Sequence, residues 1–199
     1  MDQFAFVQHA ITKGYDFNSD MFSVYMDIAS RFQVYETTYN YLYEKTKEDV
    51  EFRNKPDREH LLIEPIILPS ISSALFTGIY SDFEYFLNLI CNAYKSKYNY
   101  KIDLKDISGN GIKRAVTYLS KVVQVGDLKN TSEWNELEHW NRVRNIIVHN
   151  NRVFRNKEDR NSVISLNLQI NEQQNRVYLT IDDCKRFLNL ALNFFKLCI

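Results

Sequence analysis

From Asp20 to Val50 the chain contains neither proline nor glycine. Along that stretch Phe22, Tyr25, Met26, Ala29, Phe32, Val34, Tyr39 and Leu42 recur at roughly helical spacing, which predicts one long amphipathic helix. From Ser70 to Tyr98 a second long helix is predicted, with Leu75, Ile79, Phe83, Phe86, Leu87, Ile90 and Tyr94 on one broad face that packs against the first. The polar stretch EFRNKPDREH breaks the pattern around Pro56, and Pro65 and Pro69 predict an extended or kinked approach to the second helix.

The rest of the chain reads as shorter elements. KIDLKDISGNG is turn-rich. IKRAVTYLSKVV then places Ile112, Ala115, Val116, Leu119 and Val123 at helix spacing, and Gly126 ends the run. Thr131 and Ser132 can cap a fourth helix, with Glu133 and Glu136 near its start, where the helix dipole favours negative charge. Beyond it, RVFRNKEDRN reads as a charged loop, and SVISLNLQI and RVYLTI, joined by NEQQN, read as a small β-hairpin. The C-terminal IDDCKRFLNLALNFFKLCI buries Phe187, Leu188, Ala191, Leu192 and Phe195 as a final helix.

Composition narrows the function classes. With 199 residues, 45% of them hydrophobic, the chain is long enough for a sizeable core, and a single domain over 1–199 is expected. Its helical core covers about 20–150 and 181–198, with the hairpin as an insert at about 162–180. Basic and acidic residues balance at 25 each, so any nucleic-acid site has to be local. Three cysteines without paired or metal-ligand spacing and an N-terminus without the signal-peptide pattern point to a reduced, cytoplasmic setting. No apolar run is long enough to cross a bilayer, so no membrane partner is expected.

The fourth helix contains WNELEHWNRVRNIIVHNN, Trp134 to Asn151. At about 100° per residue, Trp140, Val143 and Ile147 form a core stripe flanked by Leu137 and Ile146, and Arg144 borders it. Glu138, Arg142, Asn145 and His149 fall on the opposite face, with Asn145 and His149 one turn apart. Arg144 and His149 lie about 140° apart, so the wheel predicts that they flank a groove floored by Asn141 and Asn145 without touching as neighbours.

These residues resemble a known family. Arg144-Asn145-Ile146-Ile147-Val148-His149 matches the R-x4-H motif of HEPN domains, near the end of a helix and after a helix of the form IYSDFEYFLNLIC. The resemblance covers nearly the whole chain. It implies a mainly α fold: a HEPN-like bundle of four to five main helices with a small β-hairpin insert before the last one. It also implies a metal-independent endoribonuclease acting on RNA as a homodimer, of the kind found among prokaryotic toxins and anti-phage defence effectors. An antitoxin or regulatory protein would be a partner. Other family members are inactive and bind RNA, nucleotide or protein, which is the alternative.

The residue types suit that chemistry. Metal-free RNA cleavage needs a proton taken from the 2′-hydroxyl, a proton given to the leaving 5′-oxygen, and stabilisation of a highly charged phosphorus centre. Histidine can serve either proton transfer, and arginine can hold two phosphate oxygens. His149, Arg144 and Asn145 are therefore the candidate catalytic residues, with Asn141 and Asn150 as hydrogen-bonding support and Glu84 as a carboxylate partner for Arg144 or His149. Arg142, Arg144, Arg152, Arg155, Lys157 and Arg160 oppose only Glu158 and Asp159, and Arg152, Arg155 and Lys157 are the candidate RNA contacts. Arg142 is expected to pair with Glu138. No metal-ligand spacing, phosphate-binding glycine loop or nucleophile context is present, so neither metal nor cofactor is expected.

Overall fold

The computed structural model describes residues 3–15, 19–52 and 67–199. The connection expected around Pro56 and Pro65 lies outside them. The described chain is mainly helical, with a two-stranded antiparallel hairpin before the last helix. In order it forms α1 (Gln3–Thr12), α2 (Asp20–Phe52), α3 (Leu68–Tyr98), α4 (Gly111–Tyr118), α5 (Ser132–Asn150), α6 (Lys157–Ser165), β1 (Gln169–Asn171), β2 (Arg176–Tyr178) and α7 (Ile181–Cys198). Helix α4 runs on into a π-helical turn over Leu119–Val123. No helix among the described residues is long and apolar enough to cross a membrane.

Two compact units divide the chain. The first comprises residues 1–33, 81–135 and 189–199. In it, α2 buries Met21, Val24, Tyr25, Ile28, Ala29 and Phe32, a stripe at three- and four-residue intervals. Met26, expected in that stripe, is 44% exposed, because one step from Tyr25 rotates a side chain by about 100°. Phe32 packs against Phe86 and edge-on against Phe195, while Phe83 meets Phe194 and Phe195. Fully burying each such ring stabilises the unit by roughly 1.5–3 kcal/mol. In α4, Ile112, Ala115, Val116 and Leu119 are buried as the spacing predicts. Helix α1, whose Phe6 and Ala10 are buried four residues apart, is an element that the sequence reading missed.

The second unit comprises residues 34–80 and 136–188. Phe76 sits 5.2 Å from Trp140 and 5.0 Å from Phe187, ring centre to ring centre, and Tyr80 stacks on Phe187 at 5.6 Å. Val34, expected in the core, is 55% exposed. Pro69 occupies the first turn of α3, where the amide hydrogen it lacks would have no intrahelical acceptor, and its carbonyl accepts from Ser73 Oγ. The expected kink at that residue therefore becomes part of a helix start.

The segment after α5 departs furthest from expectation. The second half of the charged run read as a loop, from Lys157, and the first part of the segment read as a strand together form helix α6. Asn156 caps it by accepting from the Asp159 amide at 2.8 Å, Glu158 and Asp159 fill its acidic first turn, and Ser162 and Val163 are buried. Asn167, with φ of 51°, terminates it. The hairpin is accordingly shorter than expected, pairing Gln169 with Tyr178, Ile170 with Val177 and Asn171 with Arg176.

Candidate functional site

Helix α5 is started by Thr131, whose hydroxyl accepts from the Trp134 amide at 3.1 Å. Leu137, Trp140, Val143 and Ile146 are buried, which leaves Glu138, Arg142, Asn145 and His149 on the exposed side, as the wheel predicts. Arg144 lies at the border, half-buried.

Arg144 and His149 nevertheless touch, contrary to the angular expectation: Arg144 Nη1 lies 3.3 Å from His149 Nε2 and 3.1 Å from Asn145 Oδ1. The wheel describes Cα directions only. An imidazole leans back over the preceding turn, and a guanidinium on a long stem can cross the helix surface to reach it. Since a guanidinium only donates, a hydrogen bond between the two requires the Nε2 lone pair as its acceptor. The inner face of the guanidinium lies over the Tyr80 ring at 5.8 Å, and its Nε is buried with no hydrogen-bond partner among the described residues.

The helix ends immediately beyond His149. Asn151 and Arg152 both take positive φ, 48° and 68°, and the Arg152 amide reaches back to the Ile146 carbonyl at 3.0 Å. Asparagine tolerates this conformation, whereas arginine adopts it rarely. The hairpin holds Arg152 there: Val177 N–H donates to its carbonyl, Val153 bridges to Arg176, and the Arg152 guanidinium lies 5.5 Å from the Tyr178 ring centre. Arg155 Nη2 donates to the His149 carbonyl at 3.3 Å, a cation at the negative end of the helix.

The other candidate residues each have their own surroundings. Asn141 is half-buried, and its Oδ1 accepts from the Tyr80 hydroxyl at 2.7 Å. Asn150 has its Oδ1 buried without a partner among the described residues. Lys157 is exposed at the start of α6. Glu84 belongs to the first unit, where its carboxylate borders Gly111. The basic patch is smaller than its sequence. Arg142 faces the buried Asp159 at 3.6 Å, and Arg160 is bonded at 2.6 Å to Glu172, a hairpin residue the sequence reading had not set against it. That bond holds the Glu172 carboxyl below its usual range.

Elsewhere among the described residues, three reactive side chains are occupied or withdrawn. Burial pushes the thiols of Cys91 and Cys184 up to about 12, which removes thiolate character at neutral pH. His139 Nδ1 is engaged with Ser162 Oγ at 3.2 Å. Among the described residues no three His, Cys, Asp or Glu side chains come together in a way that could hold a metal ion. The sequence reading missed Tyr80 and Tyr178. Their only signal was an aromatic residue on a predicted element, indistinguishable from ordinary core.

Comparison of the chain with family models, with curated proteins and with solved structures returned no match.

Proposed function

We propose that this chain is a metal-independent endoribonuclease of the HEPN type, with Arg144 and His149 at its centre. The observation that carries the reading is the 3.3 Å approach of Arg144 Nη1 to His149 Nε2 at the exposed end of α5, with Asn145 bonded to the same nitrogen. A base and a phosphate-binding cation are thereby brought within the span of one phosphodiester.

In this mechanism the phosphate displaces the guanidinium–imidazole contact. Arg144 turns its outer nitrogens to the non-bridging oxygens and stabilises charge as it builds on phosphorus. The lone pair of His149 Nε2 takes the proton of the 2′-hydroxyl, whose oxygen attacks the adjacent phosphorus and expels the 5′-oxygen. A second imidazole is needed to protonate that leaving group in the same step, and a two-fold pair of chains supplies it. The products are a 2′,3′-cyclic phosphate and a 5′-hydroxyl. Arg152, Arg155 and Lys157 follow His149 in the chain and would track the RNA backbone. In the cell such an activity fits a prokaryotic toxin or anti-phage effector restrained by a regulatory protein.

The test is cleavage of end-labelled RNA by the purified protein in excess EDTA, beside His149→Ala and Arg144→Ala. The expected result is cyclic-phosphate ends from the wild type and a loss of about a hundredfold or more in each variant. No cleavage by the wild type, or cleavage indifferent to both substitutions, would replace this reading with a non-catalytic module that binds RNA, nucleotide or protein.

A further inference from the structure

Tyr80 is only 1% exposed, yet it is the buried side chain that meets the candidate site at two points. Its ring is fixed between Phe76, at 6.1 Å, and Phe187, at 5.6 Å, so it has no freedom to follow its neighbours. The Arg144 guanidinium rests over that ring, and the Tyr80 hydroxyl donates to Asn141 Oδ1. Asn141, Arg144 and Asn145 stand at i, i+3 and i+4 on α5, so one immobile phenol underlies a contiguous polar surface.

From this geometry we infer that Tyr80 is a positioning residue for Arg144 and Asn141, an assignment that rests on the ribonuclease reading above. Two physical consequences define the role. Because Arg144 Nε is buried without a partner among the described residues, the ring rather than a hydrogen bond fixes the inner edge of the guanidinium. The outer nitrogens are thereby kept for Asn145, His149 and a phosphate. Because the hydroxyl occupies the Asn141 carbonyl oxygen, that amide presents its hydrogens, not its oxygen, to a substrate. Phenylalanine at this position would keep the first function and abolish the second; leucine would abolish both.

The experiment compares Tyr80→Phe, Tyr80→Leu, Asn141→Ala and the Tyr80→Phe/Asn141→Ala double variant in steady-state RNA cleavage. It also follows the Arg144 Nε–H resonance by NMR, assigned through its disappearance in Arg144→Lys. Tyr80→Phe is expected to lower kcat about fivefold with KM within about twofold, and the double variant to be no slower than Asn141→Ala alone. Tyr80→Leu is expected to lower kcat by about thirtyfold and to remove the ring-induced shift of the Arg144 resonance. Wild-type kcat in both Tyr80 variants, additive losses in the double variant, or an unmoved resonance in Tyr80→Leu would each overturn the assignment. If the wild type cleaves no RNA, the ribonuclease reading fails on its own account. The resonance alone then decides whether Tyr80 positions Arg144: a lost shift upholds it and an unmoved signal overturns it. Should Tyr80→Leu not fold, Tyr80→Phe and the double variant decide the Asn141 half of the assignment, and the Arg144 half is decided by comparing the Arg144 Nε–H resonance of the folded wild type with that of the urea-unfolded chain, where the absence of a ring-induced shift overturns it.

Discussion

Of the three arginines that lie over aromatic rings among the described residues of the second unit, two do so at nearly the same distance, Arg186 over Trp140 at 5.7 Å and Arg144 over Tyr80 at 5.8 Å. Their surroundings differ. Arg186 faces Glu136 at 3.6 Å and Asp183 at 3.5 Å and donates to the Leu166 carbonyl at 2.9 Å. Arg144 meets Asn145 and His149, and no carboxylate is paired with it among the described residues. An arginine surrounded by acceptors of opposite charge ties segments together. One held on a ring with its charge unneutralised is placed to receive an anion.

The sharpest way to break this comparison is to exchange each arginine for an uncharged chain of similar length. Arg144→Met is expected to reduce RNA cleavage by about a thousandfold while urea unfolding shifts by no more than about 1 kcal/mol. Arg186→Met should do the reverse, with cleavage within about twofold of wild type and stability lower by about 1 kcal/mol, since its ion pairs are solvent-screened and the carbonyl bond is the main loss. Equal effects of the two substitutions on cleavage would dissolve the distinction.

A smaller perturbation acts through the carbonyl that Arg186 uses. Leu166 ends helix α6, and Asn156 begins it, so Asn156→Ala is expected to cost about 1 kcal/mol in urea unfolding. Under the proposed function it should leave RNA cleavage unchanged.

The least effect is expected at another cation–aromatic pair, Lys185 over Tyr39 at 4.4 Å. Burial, and then the hydrogen bond that its hydroxyl donates to Asp182, push the Tyr39 phenol from 10.0 up to about 12. The fold therefore favours the protonated phenol. That contribution is fully present below the unfolded value near 10 and is lost as pH rises through about 12. Tyr25, Tyr94 and Tyr118 shift in the same direction, so alkaline unfolding persists in Tyr39→Phe, but stability should fall less steeply between those two values. An unchanged slope would show that neither burial nor the Asp182 contact holds the Tyr39 proton.

Much of the fold was legible in the apolar periodicity. The second long helix, the α4 stripe and the apolar face of α7 all follow from residues recurring at three and four. What failed was local competition. KEDRNSVIS follows a cap, Asn156, and has an acidic first turn, both sequence-readable, but the charge density of its first half and the β-branched residues of its second half suggest loop and strand instead. In α2, the apolar character of Met26 and Val34 predicts an inward position that their phase on the helix does not give them. At the candidate site, the exposed face bearing Asn145 and His149 was readable from the wheel, whereas the contact between Arg144 and His149 was not, since angular position ignores the reach of a side chain.

The chain's order of residues was enough to specify the two long helices, α4, α7, the inward stripe of α5 and the presence of an arginine and a histidine near that helix's end. Backbone periodicity is a local property, carried by neighbours within a turn or two. Which arginine is neutralised and which is left with its charge depended on the fold. The carboxylate of Glu172, the carbonyl of Leu166 and the ring of Tyr80 come from other segments, and Tyr80 lies 61 positions from the asparagine it holds. Such pairings arise when distant stretches pack, and no spacing within one helix encodes them.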